Sequence, residues 1–306
     1  MNFKDKVAIV TGAGGGLGRQ HALALAARGA RVVVNDFGRP AVLPDGREVA
    51  AADAVVAEIV AAGGTAIADH ASVTDVAAVA RMVDAAMGAW GRIDILVNNA
   101  GMLRDKSFAK MSLDDFRLVM DVHLMGAVIC TQAVWPQMKA QKYGRVVMTT
   151  SSSGLFGNFG QANYGAAKMA LVGLMQTLSI EGAKDGIHVN CLAPTAATRM
   201  TEDLLPKAVL ARLVPEAVTP GLLYLVSDEA PTRAILCAGA GTFERAYVTL
   251  TQGLHLGCGR EDAEAVAAHF ETISARDADQ VPQSGGEQGT NEVTQAMAAA
   301  DRRPSR

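Results

Sequence analysis

Tyr164 and Lys168 stand four residues apart, a spacing that puts both side chains on one face of a helix. A tyrosine is a poor base, because a pKa of about 10 leaves almost no phenolate at neutral pH. A lysine ammonium held beside it favours the phenolate and lowers that pKa, which makes proton exchange with an alcohol feasible. Just upstream, Ser151, Ser152 and Ser153 follow the apolar run Gly144–Thr149, which reads as a buried strand. A serine at that strand's end can hold a substrate oxygen where the phenol reaches it, and Ser151 is the choice among the three. The same tyrosine–lysine spacing also occurs in ordinary surface pairs, so a second constellation is needed to decide between the two.

That constellation lies at the N-terminus. Val7–Val10 is a short β-prone run followed by Thr11-Gly12-Ala13-Gly14-Gly15-Gly16-Leu17-Gly18 and an alanine- and leucine-rich helix from Arg19 to Arg28. Strand, glycine turn and helix is the context of a phosphate-binding motif: free N–H groups and a partial positive charge at the helix start meet a backbone that a pyrophosphate can approach. The spacing is Thr-Gly-x-x-x-Gly-x-Gly, with Leu17 where Gly-x-Gly-x-x-Gly would need its third glycine. A second strand, Arg31–Asp36, ends in a carboxylate 18 positions beyond Gly18, about where an acidic residue accepts hydrogen bonds from an adenosine ribose. A carboxylate there favours NAD, since it repels a 2′-phosphate. Arg39 and Arg47 nearby keep NADP open, and a strand-end aspartate that merely starts a turn is the plainer alternative.

The elements that must position these groups alternate. After Asp36 a long loop, 37–50, leads to a helix over about 51–62 and a third strand at Thr65–Ala68, with Ala71 and Ser72 beyond it where an adenine would lie. A helix over about 75–88 precedes the strand Ile93–Val97, which ends in Asn98-Asn99-Ala100-Gly101. These are small and polar residues at a strand's C-terminal edge, where open α/β sheets bind ligands. A long helix over about 113–138 contains His123. The Tyr164 helix runs to about Lys184, followed by a strand over 187–192 and by Thr198, which could hold a nicotinamide carboxamide, at the start of a lid-like segment. Ala234–Cys237 reads as the last strand of the main sheet and 246–250 as a small additional one. This rhythm predicts parallel βαβ units: an α/β, Rossmann-type doubly wound parallel sheet with helices on both faces. It is expected to fill one domain over 1–260, followed by a helical extension (261–277) and a flexible polar tail (278–306) rich in Gln, Ser, Gly, Glu and Arg.

Composition narrows the function. In 306 residues, half are apolar and the net charge is −3 without a basic block, so nucleic acid is not an expected partner. Cys130, Cys191, Cys237 and Cys258 have no paired spacing and read as core thiols in a reducing compartment. The histidines have no metal-ligand spacing, so no metal is expected. Absence of a long uncharged apolar run, a start that enters a strand at once and the ending Pro304-Ser305-Arg306 support a cytoplasmic expectation with no membrane span, signal peptide or peroxisomal address.

Thr11-Gly12-x-x-x-Gly16-x-Gly18, Asn98-Asn99-Ala100-Gly101, Ser151 and Tyr164-x-x-x-Lys168 together resemble the short-chain dehydrogenase/reductase family over about residues 4–260. The resemblance implies a Rossmann fold, a serine that positions the substrate oxygen, a tyrosine acid/base and a lysine that also binds the nicotinamide ribose. It implies cofactor contacts from Gly12, Gly14, Gly16, Leu17, Gly18, Asp36, Ala71, Ser72, Asn98, Asn99, Ala100, Gly101, Tyr164, Lys168 and Thr198. It further implies a homodimer or homotetramer formed through the helices over 113–138 and 164–184. Val34–Gly38, Gly101–Phe108, Gln141–Arg145 and Gly157–Tyr164 are similar to a narrower group, the (3R)-hydroxyacyl-CoA dehydrogenase unit of peroxisomal multifunctional enzymes and its bacterial single-domain relatives. That similarity implies an NAD-dependent step between a (3R)-3-hydroxyacyl-CoA and the 3-ketoacyl-CoA. A hydroxysteroid dehydrogenase, an NADPH-dependent ketoacyl-carrier-protein reductase and a dinucleotide sensor without turnover are the alternatives. Two departures stand out. His123 occupies a position where most family members have an asparagine, and reads as a core histidine with satisfied hydrogen bonds. Ala71 replaces the aspartate that often contacts adenine.

Overall fold

A computed structural model of the chain describes residues 1–38, 40–43, 46–196, 210–257 and 263–301. By its contacts the chain divides into two compact units, Met1–Arg245 and Ala246–Arg306.

The first unit is a doubly wound sheet. Its strands are β1 (Val7–Thr11), β2 (Arg31–Asn35), β5 (Thr65–Asp69), β6 (Ile95–Asn98), β7 (Gly144–Thr149), β8 (Ile187–Thr195), β9 (Ile235–Gly239) and β10 (Thr242–Ala246). They lie in the order β10-β9-β8-β7-β6-β1-β2-β5, and every registered neighbour pair from β9 to β5 is parallel. All five residues of β1 and all six of β7 are buried, as strands covered on both faces must be. Helices α1 (Gly16–Ala26), α2 (Ala51–Ala61), α3 (Val76–Trp90), α4 (Leu113–Met120), α5 (Gly126–Gln141), α6 (Ser152–Phe156) and α7 (Ala162–Gly182) connect them. The order reverses between β1 and β6, so a crevice opens beyond Thr11 and Asn98, the position at which such sheets bind ligands.

Three local features depart from the sequence reading. Within the expected loop 37–50, Pro40–Val42 (β3) and Glu48–Ala50 (β4) pair antiparallel; the prolines and glycine that signal a loop also suit a short edge hairpin. At the far edge β10 occupies Thr242–Ala246, not 246–250. Its register is set by the turn Ala240–Gly241, whose φ values of 49° and 78° suit a two-residue hairpin. Asp121–Met125 forms a π turn between α4 and α5. The continuous helix Leu113–Gln141 is long and apolar enough to cross a membrane by length and composition. Its residues Val119, Ala127, Cys130, Val134 and Met138 are buried in the protein core.

The second unit begins earlier than the expected boundary at 260. It contains an isolated bridge between Leu250 and Gln280 and the helices Ala263–Ala268, Phe270–Ile273 and Gly285–Asp301. The last of these replaces much of the expected flexible tail. Its first turns are polar and contain three glycines, but Ala296, Ala298, Ala299 and Ala300 in its second half favour helix. Gln295 Nε2 and Asn291 Nδ2 tether it to the Gln252 carbonyl at 2.7 and 3.3 Å.

Candidate active site

Of the three serines, the structure separates one from the others. Ser151 caps α6, its Oγ accepting from the Ser153 amide at 3.2 Å, and is nearly buried. Its side chain is also close enough to Tyr164 to work to lower the phenol's pKa. Ser152 is exposed, and Ser153 Oγ donates to Gln161 Oε1 at 2.7 Å.

Tyr164 and Lys168 lie on successive turns of α7, with Lys168 Nζ 5.5 Å from the Tyr164 ring centroid. The lysine is 3% exposed and donates to the Thr149 carbonyl, while its own carbonyl accepts from Thr150 Oγ1 at 2.6 Å. The amine is thus aimed along the end of β7. One expectation needs correcting. Burial dominates both groups: it raises the Tyr164 pKa, with the Asp105 carboxylate adding to the rise. It pushes Lys168 down to about 7. Removing water disfavours the charged form of each, so the chain's own lysine does not hold the tyrosine below its ordinary value.

His123 faces this pair from the π turn, where a widened helical turn directs it inward. Its ring meets Tyr164 edge-on at 5.2 Å between centroids. Nε2 lies 3.1 Å from the Met102 amide and 2.8 Å from the Met102 carbonyl, while Nδ1 is buried without a hydrogen-bond partner. The expected satisfied core histidine is therefore satisfied on one nitrogen only. Burial, then the Lys168 charge, lower its pKa to about 3, so the imidazole is neutral at physiological pH. Gly101 leaves it room: a Cβ there would come 2.4 Å from His123 Cε1.

The glycine turn closes the other side of the crevice. Gly12 has φ +63°, and a Cβ on Gly18 would lie 2.3 Å from the Gly12 carbonyl oxygen, so only glycine fits this packing. Gly15 precedes α1 without a side-chain cap, and no acidic residue stands in the first turn. The N–H groups around Gly16, Leu17 and Gly18 therefore remain free for an anion. Asp36, at the end of β2, accepts from the Gly14 amide through Oδ2 at 2.9 Å. Bare backbone, uncapped amides and a carboxylate at one crevice fit a dinucleotide's pyrophosphate and ribose.

Asn98 and Asn99 serve differently from direct contact. Asn98 Nδ2 donates to Thr131 Oγ1 and toward Met148 Sδ. Asn99 Nδ2 donates to the carbonyls of Thr11 and Gly12 at 3.0 and 3.1 Å. The amides of Asn99 and Ala100 both donate to Thr11 Oγ1 at 3.0 Å. These bonds weld β6 to the glycine turn and shape the crevice. Ala71 and Ser72 sit at the end of β5, the Ala71 carbonyl accepting from Asn35 Nδ2 at 2.9 Å and Ser72 Oγ paired with Thr74 Oγ1. Thr198 and Arg39 lie outside the described residues. Sequence reasoning passed over Asp105 and Gln161, joined at 2.7 Å; they are 56 positions apart and carry no local signal. Among the described residues no group of His, Cys, Asp and Glu is arranged to hold a metal ion.

Comparison with known proteins agrees with this geometry. The short chain dehydrogenase family model matches residues 6–208. A short-chain type dehydrogenase/reductase of Mycobacterium tuberculosis is 51% identical over 243 residues, covering 79% of this chain and 85% of that protein. The peroxisomal hydratase-dehydrogenase-epimerase of Saccharomyces cerevisiae is 50% identical over 244 residues, covering 79% of this chain and 27% of its own length, so the chain corresponds to a minor part of that relative. The full-length peroxisomal multifunctional enzyme type 2 of Drosophila melanogaster superposes with a TM-score of 0.80 at 38% identity, covering 97% of this chain and 50% of that one. A 7α-hydroxysteroid dehydrogenase complexed with NADH and 7-oxo glycochenodeoxycholic acid gives a TM-score of 0.70 at 28% identity, covering 78% of this chain and 95% of that one. Motif, fold and family model converge over most of the first unit: the chain belongs to the short-chain dehydrogenase/reductase family and is an oxidoreductase that works with a nicotinamide dinucleotide.

Proposed function

We propose that the chain catalyses the NAD-dependent interconversion of a (3R)-3-hydroxyacyl-CoA and the corresponding 3-ketoacyl-CoA. The observation that carries the reading is the stacking of Tyr164 and Lys168 on successive turns of α7, with Lys168 Nζ 5.5 Å from the Tyr164 ring centroid. The lysine is buried against the Thr149 carbonyl at the end of β7, next to Ser151, whose side chain acts to lower the phenol's pKa. In the oxidation direction Ser151 orients the substrate hydroxyl and Tyr164, as phenolate, takes its proton. Lys168, steered by the Thr149 carbonyl, stands where it can reach ribose hydroxyls. The glycine turn and Asp36 would hold NAD, which would supply a hydride acceptor for C3 and a positively charged ring. Asp36 supports NAD over NADP, because its half-buried carboxylate beside Gly14 disfavours a second anion. The substrate rests on similarity to the multifunctional peroxisomal enzymes. Following NADH formation with (3R)- and (3S)-hydroxyacyl-CoA of several chain lengths tests the reading; absence of turnover with every (3R) thioester sinks it.

A steroid alcohol is the second reading, favoured by the fold match to the hydroxysteroid dehydrogenase; a free steroid alcohol assayed in parallel separates the two. We further propose a homodimer or homotetramer through α4–α5 and α7. These helices expose Leu113, Leu118, Met125, Met169 and Ile180, apolar area of the kind that subunit contacts cover. A monomer by light scattering would remove this part.

A further inference from the structure

The loop Met102–Ser107 leaves the crevice at Gly101 and is fastened to the segment before Tyr164. The Lys106 amide donates to the Gly160 carbonyl at 2.9 Å, and Asn163 Nδ2 donates to the Arg104 carbonyl at 3.1 Å. Gln161 Nε2 donates to Asp105 Oδ2 at 2.7 Å. This lacing turns Asp105 toward the Tyr164 side, where its charge reaches the phenol. Arg104 and Lys106, its neighbours in sequence, remain about half exposed at 50% and 57%. Both approach a single carboxylate, Asp115, at 3.7 and 3.6 Å, and Ser112 Oγ also donates to it. Asp105 between them is turned away toward Gln161, so the two cations face outward with one shared anion, Asp115. Phe159, next to the Gly160 that holds Lys106, is 90% exposed. None of these three side chains takes part in the proton transfer.

We propose that Arg104 and Lys106 bind the phosphates of a coenzyme A thioester at the mouth of the active site, with the Phe159 ring against its adenine. The proposal rests on the hydroxyacyl-CoA reading above. The pantetheine arm holds the phosphates well away from the thioester, so cations that anchor them belong at the rim and not against Tyr164. A guanidinium matches phosphate oxygens with two N–H groups, an ammonium adds a compact charge, and an exposed aromatic face stacks with a base.

The test compares kcat/KM for a (3R)-hydroxyacyl-CoA with that for the N-acetylcysteamine thioester of the same acid, which lacks the nucleotide. Arg104→Gln with Lys106→Gln is expected to lower the ratio of the two roughly tenfold, through KM. Phe159→Ala is expected to lower it in the same sense. The charge-keeping exchange Arg104→Lys with Lys106→Arg should retain more of the ratio than the double glutamine variant does, since it keeps both charges and one guanidinium, which separates charge from loop damage. Raised salt should weaken the wild type on the CoA thioester more than on the short one. A ratio unchanged in the double glutamine variant overturns the proposal, as does a loss seen only with a thioester borne by an acidic carrier protein. Titration calorimetry with free coenzyme A answers separately from turnover. If the wild type turns over neither thioester, the hydroxyacyl-CoA reading fails, while equal coenzyme A affinity in wild type and double variant removes the subsite.

Discussion

The His123 imidazole stands edge-on to the Tyr164 ring, the two centroids 5.2 Å apart at an interplanar angle of 85°. His123 thereby braces the phenol from one side while its Nε2 holds the Met102 backbone. Truncation by His123→Ala removes both and opens a cavity, which is expected to cost roughly 2–4 kcal/mol in urea unfolding. Turnover should fall with it. A folded variant with wild-type kcat would assign the ring to packing alone.

Tyr164→Phe keeps the ring contact and deletes only the hydroxyl. Turnover is expected to fall about 10²–10⁴-fold, the usual contribution of a positioned acid/base, while NADH affinity by fluorescence titration stays near the wild-type value. In the wild type the raised Tyr164 pKa makes oxidation accelerate with pH across the alkaline range. Near-normal kcat in the phenylalanine variant would remove the acid/base role.

Asp36→Ala should narrow the preference for NAD over NADP, measured as the ratio of kcat/KM values. The carboxylate that opposes a 2′-phosphate is gone, and the Gly14 amide that it accepted from becomes free for an anion. An unchanged ratio would place cofactor choice elsewhere.

Gly18→Ala forces a methyl to within 2.3 Å of the Gly12 carbonyl. Overpacking against backbone should cost about 1–3 kcal/mol and weaken NADH binding as the turn shifts. Gly88, inside α3, has nothing within 4 Å of a built Cβ. Gly88→Ala is therefore expected to stabilise the protein by about 0.5–1 kcal/mol. Equal melting temperatures for the two variants would contradict the packing argument.

Stability should fall as pH drops from 6.5 toward 3. His21 and His123 are buried with pKa values pushed down from 6.5 to about 3. In that window the unfolded chain binds protons that the folded one refuses, so each histidine draws the equilibrium toward unfolding; above 6.5 both are neutral in either state and contribute nothing. His21→Leu, which also gives up the contact of Nδ1 with Thr219 Oγ1 at 3.0 Å, should flatten the profile of melting temperature against pH. A wild-type profile already flat between pH 6.5 and 4 would contradict the burial argument.

Much of the fold was legible because buried parallel strands are short apolar runs and their glycine turns are chemically distinctive. Val7–Thr11 and the turn after it identify themselves by residue type alone, as do Asn98–Gly101 and Tyr164–Lys168. The hairpin over 40–50 was hidden by Pro40, Pro44 and Gly46, which announce a turn without saying whether its flanks pair. The helix Gly285–Asp301 was hidden by polarity, which a solvent-facing helix shares with a flexible tail. No residue pattern marks the π turn that aims His123, since it depends on where α5 must dock.

By itself the sequence determined the family and the doubly wound sheet and marked out Tyr164, Lys168 and Ser151 as the proposed site, because local spacing and residue type suffice for these. Only the tertiary structure decided that Ser153 is turned to Gln161, that one imidazole nitrogen goes unpaired, and that burial draws the Lys168 pKa down to about 7. Hydrogen-bond partners and desolvation come from what packs around a group, and distant segments such as Thr149, Met102 and Asp105 supply that environment.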